Sequence, residues 1–166
     1  MALLKIPIAT IVVAAALAGT AGAPSRADPR WSWPLSPKPS VLRTFGPPDK
    51  PWLSGHRGVD IGPASDGGPV TAPSDGVVTF SGIVVDRAVI TIDQGNGLRS
   101  SFEPVASGLK QGDAVVKGQV IGTLEPGPGH CGSTTCLHWG VRRGDDYVNP
   151  LGFVEDMRPS ILLPLD

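Results

Sequence analysis

The sequence predicts a small, turn-dense, all-β domain of antiparallel sheets packed as a sandwich or barrel, with little or no helix. Three observations carry this. The 166 residues include 22 Gly and 18 Pro, and these interrupt every stretch long enough to hold a helix. Hydrophobic residues make up 40% and the formal net charge is −1, whereas disordered chains combine low hydrophobicity with high net charge. Short runs rich in β-branched and aromatic residues recur between turn clusters, and no window carries a 3.6-residue period. The near-neutral charge also leaves no electrostatic case for binding nucleic acid.

Residues 1–27 read as a secretory signal. Lys5 gives a positive start, an apolar run extends from Ile6 to Ala18, and Ala21-Gly22-Ala23 fits a small-x-small cleavage pattern, with Ser25-Arg26-Ala27 as a second site. A membrane anchor is the alternative, but a span needs about 20 apolar residues, and Gly19, Thr20 and Gly22 close this run early. The expected location is extracytoplasmic, in the cell envelope or the medium. Residues 28–50 form a Pro/Trp-rich extension expected to pack on the domain. Trp31, Trp33 and Leu35 alternate there, which puts them on one face of an extended segment. With Trp52 they could also line a ligand surface.

The β domain is expected over residues 51–151. Strand signals begin near Val70 and continue through Gly76–Ser81 and Ala88–Asp93. Gln94-Gly95-Asn96-Gly97 is a hairpin turn, and Leu98–Glu103 is the return strand. Gly112 to Leu124 gives two more short strands around a tight turn. The last strand runs from Cys136 to Arg142, where alternation places Leu137, Trp139 and Val141 on the core face and Cys136, His138 and Gly140 on the other. Residues 152–166 are read as a tail carrying Phe153, Ile161, Leu162 and Leu163.

Export changes the meaning of the two cysteines. Outside the cytosol an even count favours a disulfide, so Cys131 and Cys136 are expected to pair, with metal ligation by the thiols as the alternative. Three histidines remain to be weighed. His56 lies between glycines, four residues before Asp60, and His138 lies on the open face of the last strand. Two histidines and a carboxylate make a plausible zinc set, because three protein ligands leave the fourth position that catalytic zinc keeps for water. From spacing alone this is a weak signal, and a surface His56 with a hydrogen-bonded His138 is the simpler alternative.

Several motifs occur together in order: Thr44-Phe45-Gly46, Gly55-His56-Arg57-Gly58-Val59-Asp60-Ile61, Val70 to Val78, Gly112 to Gly122 and Leu137-His138-Trp139. In this the chain resembles the lysostaphin/LytM-type zinc metalloendopeptidases, peptidoglycan hydrolases with the duplicated hybrid motif fold. The resemblance covers roughly residues 36–151. It implies that His56, Asp60 and His138 ligate Zn²⁺ and that the activity is hydrolysis of peptide bonds in cell-wall peptides, with peptidoglycan peptides as partners and a monomeric chain. The family also uses two further histidines. One belongs to a His-x-His pair, where this sequence has Cys136-Leu137-His138. The other belongs to a Tyr-x-His-Leu stretch, where this sequence has Phe102-Glu103-Pro104-Val105.

Both departures fall on catalytic positions. Proline carries no group that moves a proton, and a disulfide-bonded Cys136 carries none either. Glu103 and His130 are the substitute candidates, although simple alternation turns Glu103 to the face opposite Pro104. The alternative function is a degenerate relative that binds the cell wall or activates a separate hydrolase.

Overall fold

A computed structural model of the chain describes residues 31–50, 52–126, 131–132 and 134–155. The signal segment, most of the C-terminal tail and His130 lie outside the described residues. The elements in chain order are β1 (Ser40–Arg43), β2 (Val59–Gly62), β3 (Pro69–Thr71), β4 (Gly76–Val84), β5 (Arg87–Gly95), β6 (Leu98–Glu103), β7 (Val105–Ala106), β8 (Ala114–Val115), β9 (Val120–Leu124), β10 (Leu137–Arg143), β11 (Asp146–Val148) and the single-turn helix α1 (Leu151–Val154).

The strands form two antiparallel sheets. The larger runs β1-β2-β10-β6-β5-β4-β8, with β11 paired on β10, and the smaller runs β3-β9-β7. One core cluster joins them. Ile61, Ile90, Ile92, Phe102, Leu137, Trp139 and Val141 come from the large sheet, and Val70, Val105, Ile121 and Leu124 come from the small one. Leu137, Trp139 and Val141 are therefore on the core side, as alternation predicts. Trp139 is wholly buried and stacks on Phe102 with ring centroids 6.4 Å apart.

The expected hairpin at Gln94–Gly97 is present. Gly95, Asn96 and Gly97 all have positive φ, at 78°, 52° and 74°, the backbone that Gly and Asn adopt at least cost. The β4–β5 hairpin is longer than its sequence suggests because its turn uses Val85 at φ 61°. A β-branched residue is an outlier there, so no turn signal marks the position. β1, β2, β7 and β11 carry no strand signature either. Each is two to four residues long and owes its form to the neighbour it pairs with.

The tryptophans do not act as one set. Trp31 stacks on Phe153 at 4.4 Å and lies 6.2 Å from Trp139. Trp33 also packs against the core cluster, while Trp52 remains 76% exposed.

Candidate metal centre

Sheet pairing builds the site. Arg43 of β1 is paired with Asp60 of β2, Asp60 with His138 of β10, and His138 with Glu103 of β6. Cross-strand partners present their side chains on the same face of a sheet. Asp60, His138 and Glu103 therefore form a row on the face opposite Trp139 and Phe102, and Arg43, set past an irregularity in the β1–β2 register, joins its end by lining a cleft with Asp60.

His56 joins this row from a loop. Its backbone is clamped to Gly46 by two hydrogen bonds: Gly46 N–H donates to His56 O at 3.0 Å, and His56 N–H donates to Gly46 O at 2.8 Å. Its Nδ1–H donates to Thr44 O at 2.7 Å, which leaves Nε2 as the lone-pair nitrogen facing the row. That nitrogen lies 3.1 Å from Asp60 Oδ1 and 3.2 Å from His138 Nδ1, and His138 Nδ1 lies 2.7 Å from Asp60 Oδ1. His56 and Asp60 are buried, and His138 is partly so.

This donor set fits a zinc ion. Ligands about 2.1 Å from a tetrahedral metal lie roughly 3.4 Å from one another, close to the separations found. Two imidazoles and a carboxylate suit zinc, and a histidine whose second ring nitrogen donates to a backbone carbonyl is the usual oriented ligand. Gly58 makes the approach possible. A Cβ there would stand 2.5 Å from Trp139 O and 2.7 Å from His138 Nε2, so any side chain would push β10 or the His138 ring away.

The remaining candidates divide. Cys131 and Cys136 form a disulfide with Cα atoms 6.2 Å apart, so Cys136 offers no thiol. Pro104 follows the end of β6, and its carbonyl accepts from Glu125 N–H at 3.2 Å. Glu103 corrects the sequence expectation. Alternation relative to Pro104 suggested the wrong side, but the strand ends at Glu103, and pairing with His138 sets that carboxylate on the site face. Its Oε1 lies 3.8 Å from Arg87 Nη1. Arg43 carries no sequence signal and enters only through pairing. Two residues further along β10, Gly140 pairs with Ser101, and Ser101 with Thr91. A cleft of about 530 Å³ opens on this polar floor, lined among others by Arg99, Arg142 and Tyr147.

With this geometry in view, comparison with known proteins is informative. The family model described as Peptidase family M23 matches residues 54–150. The uncharacterized protein Rv2891 of Mycobacterium tuberculosis is 40% identical over 148 residues, covering 86% of this chain and 59% of that protein. The chain thus spans less than two thirds of the relative's length. Among solved structures, the SpoIIQ–SpoIIIAH pore-forming complex matches with a TM-score of 0.63 at 22% identity, covering 76% of this chain and 91% of the matched chain. Lysostaphin matches with a TM-score of 0.57 at 22% identity, over 69% of this chain and 49% of its own. At such identities the likeness is one of fold.

Proposed function

The chain belongs to peptidase family M23, and from that premise we propose that it is an exported, zinc-dependent peptidase that hydrolyses peptide bonds of cell-wall peptides. The observation that carries the reading is the convergence of His56 Nε2, Asp60 Oδ1 and His138 Nδ1 within 3.2 Å of one another. A pure binding module has no evident need of such a set. When bound, zinc supplies a Lewis acid that polarises a carbonyl and lowers the pKa of water.

The chain's own residues do the rest. Thr44 O and the Gly46 backbone fix the His56 ring before any metal arrives, so little reorganisation accompanies binding. Asp60, wholly buried, brings the negative charge that offsets a dication in a site walled by core. Gly58 lets β10 and the His138 ring close on the ligand loop, because the space a Cβ would fill is taken by Trp139 O and that ring. Glu103, paired across from His138, is the candidate to take a proton at its carboxylate oxygens and return it to the leaving amine. General acid–base help of this kind is worth about 10²–10⁴-fold, and neither Pro104 nor disulfide-bonded Cys136 supplies it.

Those same two residues favour a second reading, in which the chain binds zinc and cell wall without cleaving it and acts through another protein. One experiment separates the two. The purified chain is assayed for metal and incubated with cell walls, and newly released amino groups are counted. Release that stops in a His138→Ala variant establishes the peptidase. Zinc-loaded protein that releases nothing from walls of several cross-bridge types favours the binding role.

A further inference from the structure

The row of paired residues has a cationic end that the peptidase reading leaves without a task. Arg43 is paired with Asp60, and with Leu42, Asp60, Cys131 and Thr134 it lines a cleft of about 330 Å³ on the β1 side of the ligand set. Among the described residues, no hydrogen-bond or ion-pair partner meets the Arg43 side chain. Every other charged group of the row is engaged: Asp60 with both histidines, and Glu103 with Arg87. The cleft is thus lined by an exposed arginine with its donors available, one apolar side chain in Leu42, and a wall made by Cys131 and Thr134. Its size is at the lower end for small-ligand sites, which run from about 300 to 1,000 Å³.

We propose that Arg43 reads a carboxylate on the substrate close to the bond that is cut. This rests on the peptidase reading above and adds a substrate class to it. The guanidinium presents a planar fork of donors that matches a carboxylate in bidentate fashion. Adjacent strands lie about 4.8 Å apart, and an extended peptide advances about 3.4 Å per residue. A carboxylate held over β1 therefore belongs to the residue at the cut or the one next to it. Leu42 and the limited volume favour a small apolar side chain in that residue. The carboxylate is either the free terminus of a peptide or a side-chain acid beside the cut.

The test uses the full metal-loaded chain and three probes: N-acetyl-alanyl-alanine, its C-terminal amide, and N-acetyl-alanyl-glutamic acid α-amide. Binding is read by calorimetry, independently of cleavage. Wild type should bind a carboxylate-bearing probe about 10–100-fold more tightly than the plain amide, the range expected for hydrogen bonds to a charged group. Preference for the first probe assigns the free terminus, and preference for the third assigns a side-chain acid. Arg43→Gln should abolish the preference while its zinc content, measured by mass spectrometry, stays equal to wild type; Arg43→Lys should keep part of it. Equal binding of all three probes by wild type overturns the proposal, as does a preference that survives Arg43→Gln. A loss that is the same for acid and amide also overturns it, because that pattern belongs to a group acting on the carbonyl common to every substrate. Failure of the peptidase reading alone would appear as intact acid preference with no release of amino groups from cell walls.

Discussion

A Gly58→Ala substitution places one methyl group where a Cβ would lie 2.5 Å from Trp139 O, 2.7 Å from His138 Nε2 and 2.8 Å from His138 Cε1. Restoring an ordinary contact of 3.4 Å to the carbonyl needs a shift of about 0.9 Å. Trp139 O belongs to the backbone of β10, which is paired on both sides with β2 and β6, so the strain falls on the strand or on the His138 ring. Overpacking of this kind costs about 1–3 kcal/mol, which corresponds to roughly 2–8 °C in Tm for each kcal/mol in a domain of this size. Metal–ligand distances tolerate only about 0.2 Å, so the larger consequence is at the site. Zinc affinity should fall by about 10–100-fold, the effect typical of losing the support behind a ligand. Competition with a chromophoric chelator measures the affinity, and calorimetry of the zinc-loaded and chelator-treated protein measures the Tm. Gly140→Ala is the comparison: its Cβ would come no nearer than 3.1 Å to Ser101 Oγ and 3.3 Å to Arg57 O, and it should cost less in both assays. Unchanged zinc affinity and Tm in Gly58→Ala would refute the claim that this glycine lets β10 close on the ligand loop.

Four further outcomes are expected. Removing zinc with a chelator should lower the Tm of wild type by mass action, and should leave the Tm of His138→Ala unchanged, since that variant is expected to purify without metal. Glu103→Gln should keep its zinc and lose about 10²–10⁴-fold in the rate of amino-group release; a full rate would remove Glu103 from the chemistry. Replacing both Cys131 and Cys136 with Ser should cost about 2 kcal/mol, the chain-entropy value for so short a loop, read as a shift in the denaturant midpoint. Trp139→Ala, at a wholly buried position, should cost about 3–5 kcal/mol, and an exposed-site comparison such as Trp52→Ala should leave the midpoint almost unmoved.

The His56, Asp60 and His138 group that converges in the structure is the set the family resemblance implies; spacing alone leaves it open, and alternation along the last strand adds only the face on which His138 lies. Leu137, Trp139 and Val141 announce a core face, and His138 between them must point the other way. The Cys131–Cys136 bridge was legible from its count and spacing once export was inferred. Alternation along one strand turns Glu103 away from the site; β6 stops before Pro104, and only the pairing with His138 sets Glu103 on the site face. Arg43 was invisible: β1 lies in a Pro-rich stretch, four residues long, and its strand character comes from pairing with β2.

Local chemistry determined much by itself. The density of Gly and Pro excluded long helices, period-two patterning selected buried strand faces, and the ordered motifs carried the family resemblance that implies the His56, Asp60 and His138 set. Tertiary structure alone decided which residues share a row. That β2 lies between β1 and β10, and β10 between β2 and β6, brings Arg43, Asp60, His138 and Glu103 side by side although 95 positions separate Arg43 from His138 in the chain. The reason is physical: register is fixed by burying Ile61, Phe102, Leu137 and Trp139 on one face, and a slip of one residue would turn every side chain of a strand to the other side. The core thus sets the alignment of the polar face, and no single segment of sequence contains that information.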